Sequence, residues 1–341
     1  MDDISPNKIL DDEPEGHAEA SLGRQRRLHL VATAFSLSIL ALSIFVLART
    51  FAAVRWWDLR QALAATGWDQ IALAGFFSCV SYAALTGYDA LALRQLALRV
   101  PFGRTALASF TSYAISFTLG FPLITGGTVR YWIYSQSGLT AGKVASLTIV
   151  AGLTFWLGMA LVIGVSLLAD PAGLADIDHL KVWVNTLIGA GILLAIAVWL
   201  YWGARGQRRI RVKGMSLELP GFWLTLGQMA LGVVDVCAAA AVLFALLPRG
   251  SALSFLDFAG TYAFACLIGI ASNAPGGIGA FEVTMLKSTP APSPEAMLAS
   301  LLMFRAIYYL IPFVLAMAML GAHEIMKRWP SLRADMSKGG D

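Results

Sequence analysis

Two apolar stretches of this 341-residue chain are interrupted by the same kinds of residue in the same order. The first runs Ser112-Tyr113-Ala114, then Gly120-Phe121-Pro122-Leu123-Ile124-Thr125-Gly126-Gly127-Thr128-Val129-Arg130. The second runs Thr261-Tyr262-Ala263, then Gly269-Ile270-Ala271-Ser272-Asn273-Ala274-Pro275-Gly276-Gly277-Ile278-Gly279-Ala280-Phe281-Glu282. In each, a Tyr stands seven residues before a Gly, a Pro and a Gly-Gly pair follow, and a charge closes the pattern. Breakers of this kind make a helix stop, leave backbone open and restart. Hydrocarbon tolerates open backbone only where it is buried in protein or lines a cavity. Broken helices at matching places in two halves of a chain point to the binding site of a transporter.

The rest of the composition agrees with a bilayer setting. Hydrophobic residues make up 57% of the chain and charged residues only 13%, against about 25% charge in soluble domains. Cys79, Cys237 and Cys266 lie in apolar segments and read as small buried hydrophobes. His17, His29, His179 and His323 have no metal-ligand spacing, and no GxSxG, HExxH or P-loop pattern occurs. The sequence therefore calls for no metal or cofactor, and nothing in it suggests nucleic acid.

Residues 1–27 begin acidic, with seven acids and one Lys in the first twenty, and end in Arg24, Arg26 and Arg27. They read as a disordered cytoplasmic tail before a first span at Leu30–Ala48. Phe51–Trp68 mixes Trp with Arg and Asp and suits an interfacial helix, with Asp58 as its N-cap. Further spans fall at Ile71–Tyr88, Val144–Ala169, Val182–Trp202, Phe222–Leu247 and Ala296–Ala322. Residues 28–323 form one transmembrane domain and 324–341 a second cytoplasmic tail.

Charge between the spans sets the parity. If each broken stretch crossed the membrane once, the cluster Arg205, Arg208, Arg209, Arg211 and Lys213 would face outward. If each returns to the side it entered, both termini and the arginine-rich loops fall inside, and the loop with Asp170, Asp176 and Asp178 falls outside. The expected fold is thus an all-α integral membrane protein with about six full transmembrane helices. Two oppositely oriented re-entrant hairpins complete it as an inverted repeat.

Five charges lie within or beside these apolar segments: Asp89, Arg130, Asp235, Glu282 and Arg305. Each would cost about 2.5–3.5 kcal/mol at mid-bilayer, so each is expected to face a partner or a polar cavity. Gly126-Gly127-Thr128 reads as a helix start whose free N–H groups, with Arg130, would receive an anion such as a lipid phosphate. Around Asn273, Pro275, Gly276, Gly277 and Gly279 the backbone is freed again, and Glu282 follows at the restart. Carboxylates beside an anion-seeking helix start suit a zwitterionic or cationic phospholipid head group. The bland alternatives are a kinked helix, a surface turn and structural ion pairs.

The runs Leu85-Thr86-Gly87-Tyr88-Asp89, Gly126-Gly127-Thr128-Val129-Arg130-Tyr131-Trp132-Ile133-Tyr134-Ser135, Ser272-Asn273-Ala274-Pro275-Gly276-Gly277-Ile278-Gly279-Ala280-Phe281-Glu282 and Arg305-Ala306-Ile307-Tyr308-Tyr309-Leu310-Ile311-Pro312 carry a resemblance. Together they resemble the N-terminal membrane domain of lysylphosphatidylglycerol synthase/flippase, the multiple peptide resistance factor, over roughly residues 25–325. The resemblance implies the half that moves aminoacylated phosphatidylglycerol between leaflets, without the domain that makes it. It implies a bacterial inner-membrane flippase, not an enzyme, with N- and C-termini in the cytoplasm. The phospholipid and the bilayer are its partners, and a separate lipid-modifying enzyme and a homo-oligomer stay open. It places Asp89, Asp235 and Arg305 on the lipid path, although the family often has Glu at the Asp235 position. Thr125, Gly126, Gly127, Arg130, Tyr131 and Tyr134 fall in one motif, and Asn273, Pro275, Gly276, Gly277, Gly279 and Glu282 in the other. A membrane-embedded head-group enzyme and a regulatory or scaffold subunit are the competing readings.

Overall fold

The computed structural model describes residues 66–205, 209–212, 215–218, 220–249, 253–272, 275–289 and 293–338, together with Trp57 and Ala64. The first span expected at Leu30–Ala48, the interfacial helix and Asn273 lie outside the described residues. Within them the chain is helical apart from a ribbon, β1 (Arg209–Val212) paired antiparallel with β2 (Met215–Glu218), in the arginine-rich loop. The helices are α1 (Trp68–Gln95), α2 (Phe102–Leu119), α3 (Pro122–Tyr134), α4 (Ala141–Ala169) and α5 (Pro171–Asp178). They continue as α6 (Val182–Ala204), α7 (Phe222–Ala245), α8 (Phe255–Ala271), α9 (Ala280–Ser288), α10 (Pro294–Phe304) and α11 (Ile311–Lys338). Among the described residues, α1, α4, α6, α7 and the continuous segment Pro294–Met326 are long and apolar enough to cross a membrane. These are the five later spans expected from the sequence.

The centre is the antiparallel pair of α1 and α7, riveted at both ends. Gln70 near the start of α1 donates from Nε2 to the carbonyls of Ala245 (2.9 Å) and Leu247 (2.8 Å), meeting acceptors that the end of α7 leaves free. At the other end Gln228 Nε2 donates to Gln95 Oε1 at 3.0 Å. Helix α4 crosses α7 with backbone against backbone, because Gly158 and Gly232 face each other. A Cβ on Gly232 would stand 2.7 Å from Gly158 Cα and 2.7 Å from the Thr154 carbonyl oxygen. Small residues at such a crossing let membrane helices approach closely. Helix α6 packs mainly on α4 and turns Leu187, Leu194 and Val198 outward, as a lipid-facing helix does.

Both interrupted stretches form helical hairpins. In the first, α2 ends at Gly120 (φ 81°), Phe121 takes a left-handed conformation (φ 52°), and Pro122 opens α3. Proline suits a first helical position, since it has no N–H to leave unpaired. The chain then folds back, so that Arg104 Nη1 at the start of α2 donates to Ser137 Oγ just beyond α3 at 3.1 Å. Helix α2 carries buried Thr105, Ser109, Thr111, Ser112, Ser116 and Thr118. Several of these hydroxyls donate to carbonyls of the preceding turn, which makes α2 a polar helix inside an apolar protein. In the second hairpin α8 ends at Ala271, Pro275–Gly277 makes one tight turn, and α9 begins after Gly279. Tyr262 and Phe281 meet edge to face across it at 5.5 Å.

The two tips touch. A Cβ on Gly276 would lie 3.2 Å from the carbonyl oxygen of Phe117, in the last turn of α2. Gly276 also has φ +62°, so glycine is required there both for the backbone conformation and for the approach.

Gly158 and Gly152 of α4 offer a matched comparison, because a Cβ on Gly152 meets nothing within 4 Å. Gly158→Ala is expected to destabilise by about 1–3 kcal/mol through overpacking, whereas Gly152→Ala leaves stability unchanged or slightly raised. Thermal unfolding of the detergent-solubilised protein, followed by size-exclusion chromatography, measures both.

Candidate functional site

The five interior charges are brought into two ion pairs and one unbalanced carboxylate. Helix α1 carries Asp89, which is fully buried, and α3 delivers Arg130 to it. Arg130 donates from Nε to Asp89 Oδ2 (3.0 Å) and from Nη2 to Oδ1 (2.8 Å). Tyr134, one turn further along α3, donates to Asp89 Oδ2 at 3.0 Å. The Arg130 guanidinium also lies 4.5 Å from the centre of the Tyr113 ring on α2. Asp89 and Arg130 thus bind each other, where the sequence suggested an amine for one and a phosphate for the other.

In the second hairpin, Arg305 plays the corresponding part toward Glu282. Its Nε donates to Glu282 Oε1 at 2.7 Å, and its Nη2 lies 2.5 Å from the same oxygen, off the line of a hydrogen bond. Nη1 donates to the Gly276 carbonyl at 2.7 Å, so the same guanidinium closes backbone opened by the break. The other carboxylate oxygen of Glu282 accepts the Gly279 N–H at 2.7 Å and caps α9. This pair is less sealed than the first: the side chains are 15% and 19% exposed, against 3% and 0% for Arg130 and Asp89.

Asp235, midway along α7, is buried and accepts two hydroxyls from α1: Ser81 Oγ at 2.5 Å and Tyr88 Oη at 2.9 Å. Ser81 Oγ is also 2.7 Å from Tyr308 Oη. Tyr308 belongs to a π-helical turn, Arg305–Leu310, inside the last long segment. Pro312 has no N–H to return to the Tyr308 carbonyl. Tyr82 Oη supplies the missing donor at 3.2 Å. Such turns occur often at functional sites. Here the turn aims Arg305, Tyr308 and Tyr309 at the hairpin tips. Aromatic rings fill the space between, with Phe117 of α2 stacked on Tyr308 and Tyr308 on Phe304.

Two sequence expectations are corrected. Gly126-Gly127-Thr128 is not a helix start, because Pro122 opens α3 a full turn earlier and these residues lie within the helix. Thr125 spends its hydroxyl on the carbonyls of Gly120 (2.8 Å) and Phe121 (3.0 Å), so it closes the turn. The second helix start falls at Gly279 and Ala280, where Glu282 already takes the first N–H. Cys79 is exposed, not buried, because it faces out from α1. Of the remaining expected residues, Tyr131 is exposed on α3 and Gly127 lies beside Thr148. Gly277 packs against Gly269, and Pro275 opens the tight turn. Ser81 is new to the site, and Tyr88 and Tyr113, which the sequence offers only as parts of motifs, join it. Their signal was spacing, since Ser81 and Tyr88 lie seven residues apart on the face of α1 that meets Asp235.

A cavity of about 500 Å³ opens along the second hairpin, away from the buried pair Asp89–Arg130. Its walls include Asp170, Asp257, His179, Lys287 and, next to Glu282, Val283 and Thr284. Ser166 Oγ in its wall is buried and has no hydrogen-bond partner among the described residues.

Residues 33–316 match the family described as the lysylphosphatidylglycerol synthase TM region. The chain belongs to this family. An uncharacterized protein of Synechocystis sp. is 33% identical over 258 residues, covering 75% of this chain and 80% of its own length. The inner membrane protein YbhN of Escherichia coli is 30% identical over 247 residues, 70% of this chain and 75% of that protein. The phosphatidylglycerol lysyltransferase of Staphylococcus aureus strain COL is 26% identical over 239 residues, 68% of this chain but only 27% of that enzyme. Family membership and five helices long and apolar enough to span, among the described residues, make this a multi-pass membrane protein.

Breaking the buried pair separates a structural role from mere proximity. Asp89→Asn leaves the Arg130 charge buried without a carboxylate and is expected to destabilise by about 3–5 kcal/mol. The double variant Asp89→Asn/Arg130→Gln should recover part of that loss. A thermal-shift series on the purified variants tests this, and equal loss in single and double variants would contradict it.

Proposed function

We propose that this protein moves a phospholipid with a zwitterionic or cationic head group, such as an aminoacylated phosphatidylglycerol, between leaflets of a bacterial inner membrane. In this reading it is a transporter, and a separate lipid-modifying enzyme supplies the lipid. The two helical hairpins are re-entrant and enter from opposite faces as halves of an inverted repeat. Both termini are cytoplasmic, with the arginine-bearing ribbon inside and the Asp170 loop outside.

The observation that carries the proposal is the partly accessible Glu282–Arg305 pair at the tip of the second hairpin. A head group with both signs of charge can exchange into such a pair. Its amine takes the carboxylate, its phosphate takes the guanidinium, and no charge is left alone in a medium where an unpaired ion costs several kcal/mol. The cavity along α8 and α9 reaches Val283 and Thr284, one and two residues from Glu282, and gives the head group a polar approach. The tips that carry Phe121 and Leu123 on one side and Ile278 on the other would then border a water-filled passage. Asp89–Arg130, sealed from solvent, holds the first hairpin to α1 and would open in the complementary half of the cycle.

A hydrolytic or transfer reaction needs a nucleophile beside a free base. The carboxylates Asp89 and Glu282 are instead engaged by arginines, and Asp235, beside the Ser81 hydroxyl, is buried with it inside the helix packing. Family membership, and a lysyltransferase relative that aligns over this region alone, support lipid handling over a regulatory role.

Reconstitution into liposomes with a panel of phospholipids, read by a membrane-impermeant amine label, tests the proposal. Aminoacylated phosphatidylglycerol should equilibrate between leaflets faster than in protein-free vesicles, and Glu282→Gln or Arg305→Gln should slow it by about tenfold or more. Equal rates for protein-containing and empty liposomes would overturn the proposal, as would any change in lipid mass.

A further inference from the structure

Asp235 differs from the other interior carboxylates. Asp89 has Arg130 and Glu282 has Arg305, but Asp235 has no cation within ion-pair distance among the described residues. It is buried to the same degree as the first pair, and its partners are two neutral hydroxyls. Two neutral hydroxyls thus stand where each of the other interior carboxylates has a guanidinium, and a proton is the smallest cation that could balance the charge there. A metal ion does not fit, since sodium or calcium would want about six oxygens, and the described contacts of Asp235 add only the Ser81 and Tyr88 hydroxyls.

The titratable groups around it are phenols and thiols. Helix α1 presents Tyr82 and Tyr88, α2 Tyr113, α7 itself Cys237, α8 Cys266, and the π turn Tyr308. Helix α4, packed along α7, has Lys143 as its one ionisable side chain, exposed near its first turn. Glu295 of α10 is exposed too. Arg130 and Arg305 are held by their own carboxylates.

We propose that Asp235 is a proton-binding site that takes up and releases one proton per transport cycle, coupling lipid movement to a proton gradient. The inference rests on the transport reading for its use, though not for its chemistry. Its position gives the proton something to act on. Tyr88, which donates to Oδ2, is the neighbour of Asp89, the anchor of the first hairpin. Ser81, which donates to Oδ1, touches Tyr308, three residues from Arg305, the anchor of the second. The ionised carboxylate accepts from both sides and draws α1, α7 and the π turn together. A proton on Oδ1 makes the carboxyl a donor to Ser81 Oγ, so the Ser81 hydroxyl turns from Oδ1 to the Tyr308 oxygen and the Tyr308 hydroxyl loses its acceptor in the π turn. For delivery, a proton arriving on the Tyr308 oxygen releases that hydroxyl's own proton to Ser81, and Ser81 releases its own to Oδ1. Both hydroxyls end neutral, and the proton returns to water when the carboxyl ionises.

Two measurements separate this inference from the transport reading. Infrared difference spectra of the purified protein across a pH series should contain a carboxylic-acid C=O band that is absent in Asp235→Asn. In Ser81→Ala, which keeps the carboxyl and tests against a merely misfolded variant, the band should appear at a different pH. In proteoliposomes, a gradient of one pH unit should drive up to about tenfold lipid asymmetry at one proton per lipid, and Asp235→Asn should lose this response. Lipid movement indifferent to the gradient, or an infrared band unchanged in Asp235→Asn, overturns the proton site while leaving transport standing. A band assigned to Asp235 in a protein that moves no lipid under any gradient upholds the site and sinks the transport reading.

Discussion

Arg305 meets three demands that a low-dielectric interior makes at once. It neutralises Glu282, it donates to the Gly276 carbonyl, and its guanidinium lies 4.5 Å from the centre of the Tyr309 ring. A break in a membrane helix leaves carbonyls without partners, and a buried acid leaves a charge without one. A single planar cation with five donors can serve both, which lysine could not do in a fixed geometry. The π turn places that cation at the tip, and Pro312 one turn later removes the N–H that would complete an ordinary α-helical bond to Tyr308. Remove this guanidinium and the second hairpin loses the counter-charge of Glu282 and the partner of its opened backbone together.

The first hairpin is held by a different device with the same logic. Arg130 lies on the returning helix itself and reaches out to Asp89 on α1, whereas in the second hairpin Glu282 lies on the returning helix and Arg305 reaches in. The carboxylate and the arginine have exchanged places between the two hairpins. Between the two pairs sits Asp235, bonded to the neighbour of one anchor and, through Ser81, to the π turn that bears the other. The polar centre is thus one connected set, tied to the α1–α7 pair that the terminal glutamines fix in register. Apolar packing of α4 and α6 gives this set a rigid wall.

Much of this was legible because a bilayer restricts what a sequence can do. Long apolar runs with at most one interior charge mark the five described spans, and Pro with paired Gly marks the breaks, since few other reasons exist for those residues in apolar segments. The five interior charges were also legible as a set, but not their pairing. Asp89 and Arg130 lie 41 residues apart in the chain, and only the fold of α2 back along α3 joins them. The helix start was misplaced because Gly126-Gly127 looks like the stronger breaker, while Gly120 and Phe121, both at positive φ, already turn the chain before Pro122. The π turn left one trace, Pro312 beyond a Tyr-Tyr pair, and that trace is ambiguous without knowing that Tyr82 waits across the interface to take the freed carbonyl.

In the proposed transport cycle the hairpin tips border water inside the membrane. In a variant lacking Cys79, Cys237 and Cys266, single cysteines at Leu123 and Ile278 mark the two tips, and one at Leu194 marks the lipid-facing side of α6. All three side chains are exposed on the protein, at 65%, 44% and 66%, so any difference in reactivity reports the medium around them. A small water-borne maleimide applied to the protein in bilayers should label both tip positions and spare Leu194→Cys. Tip cysteines as inert as the one on α6 would place the hairpins in hydrocarbon and contradict the account.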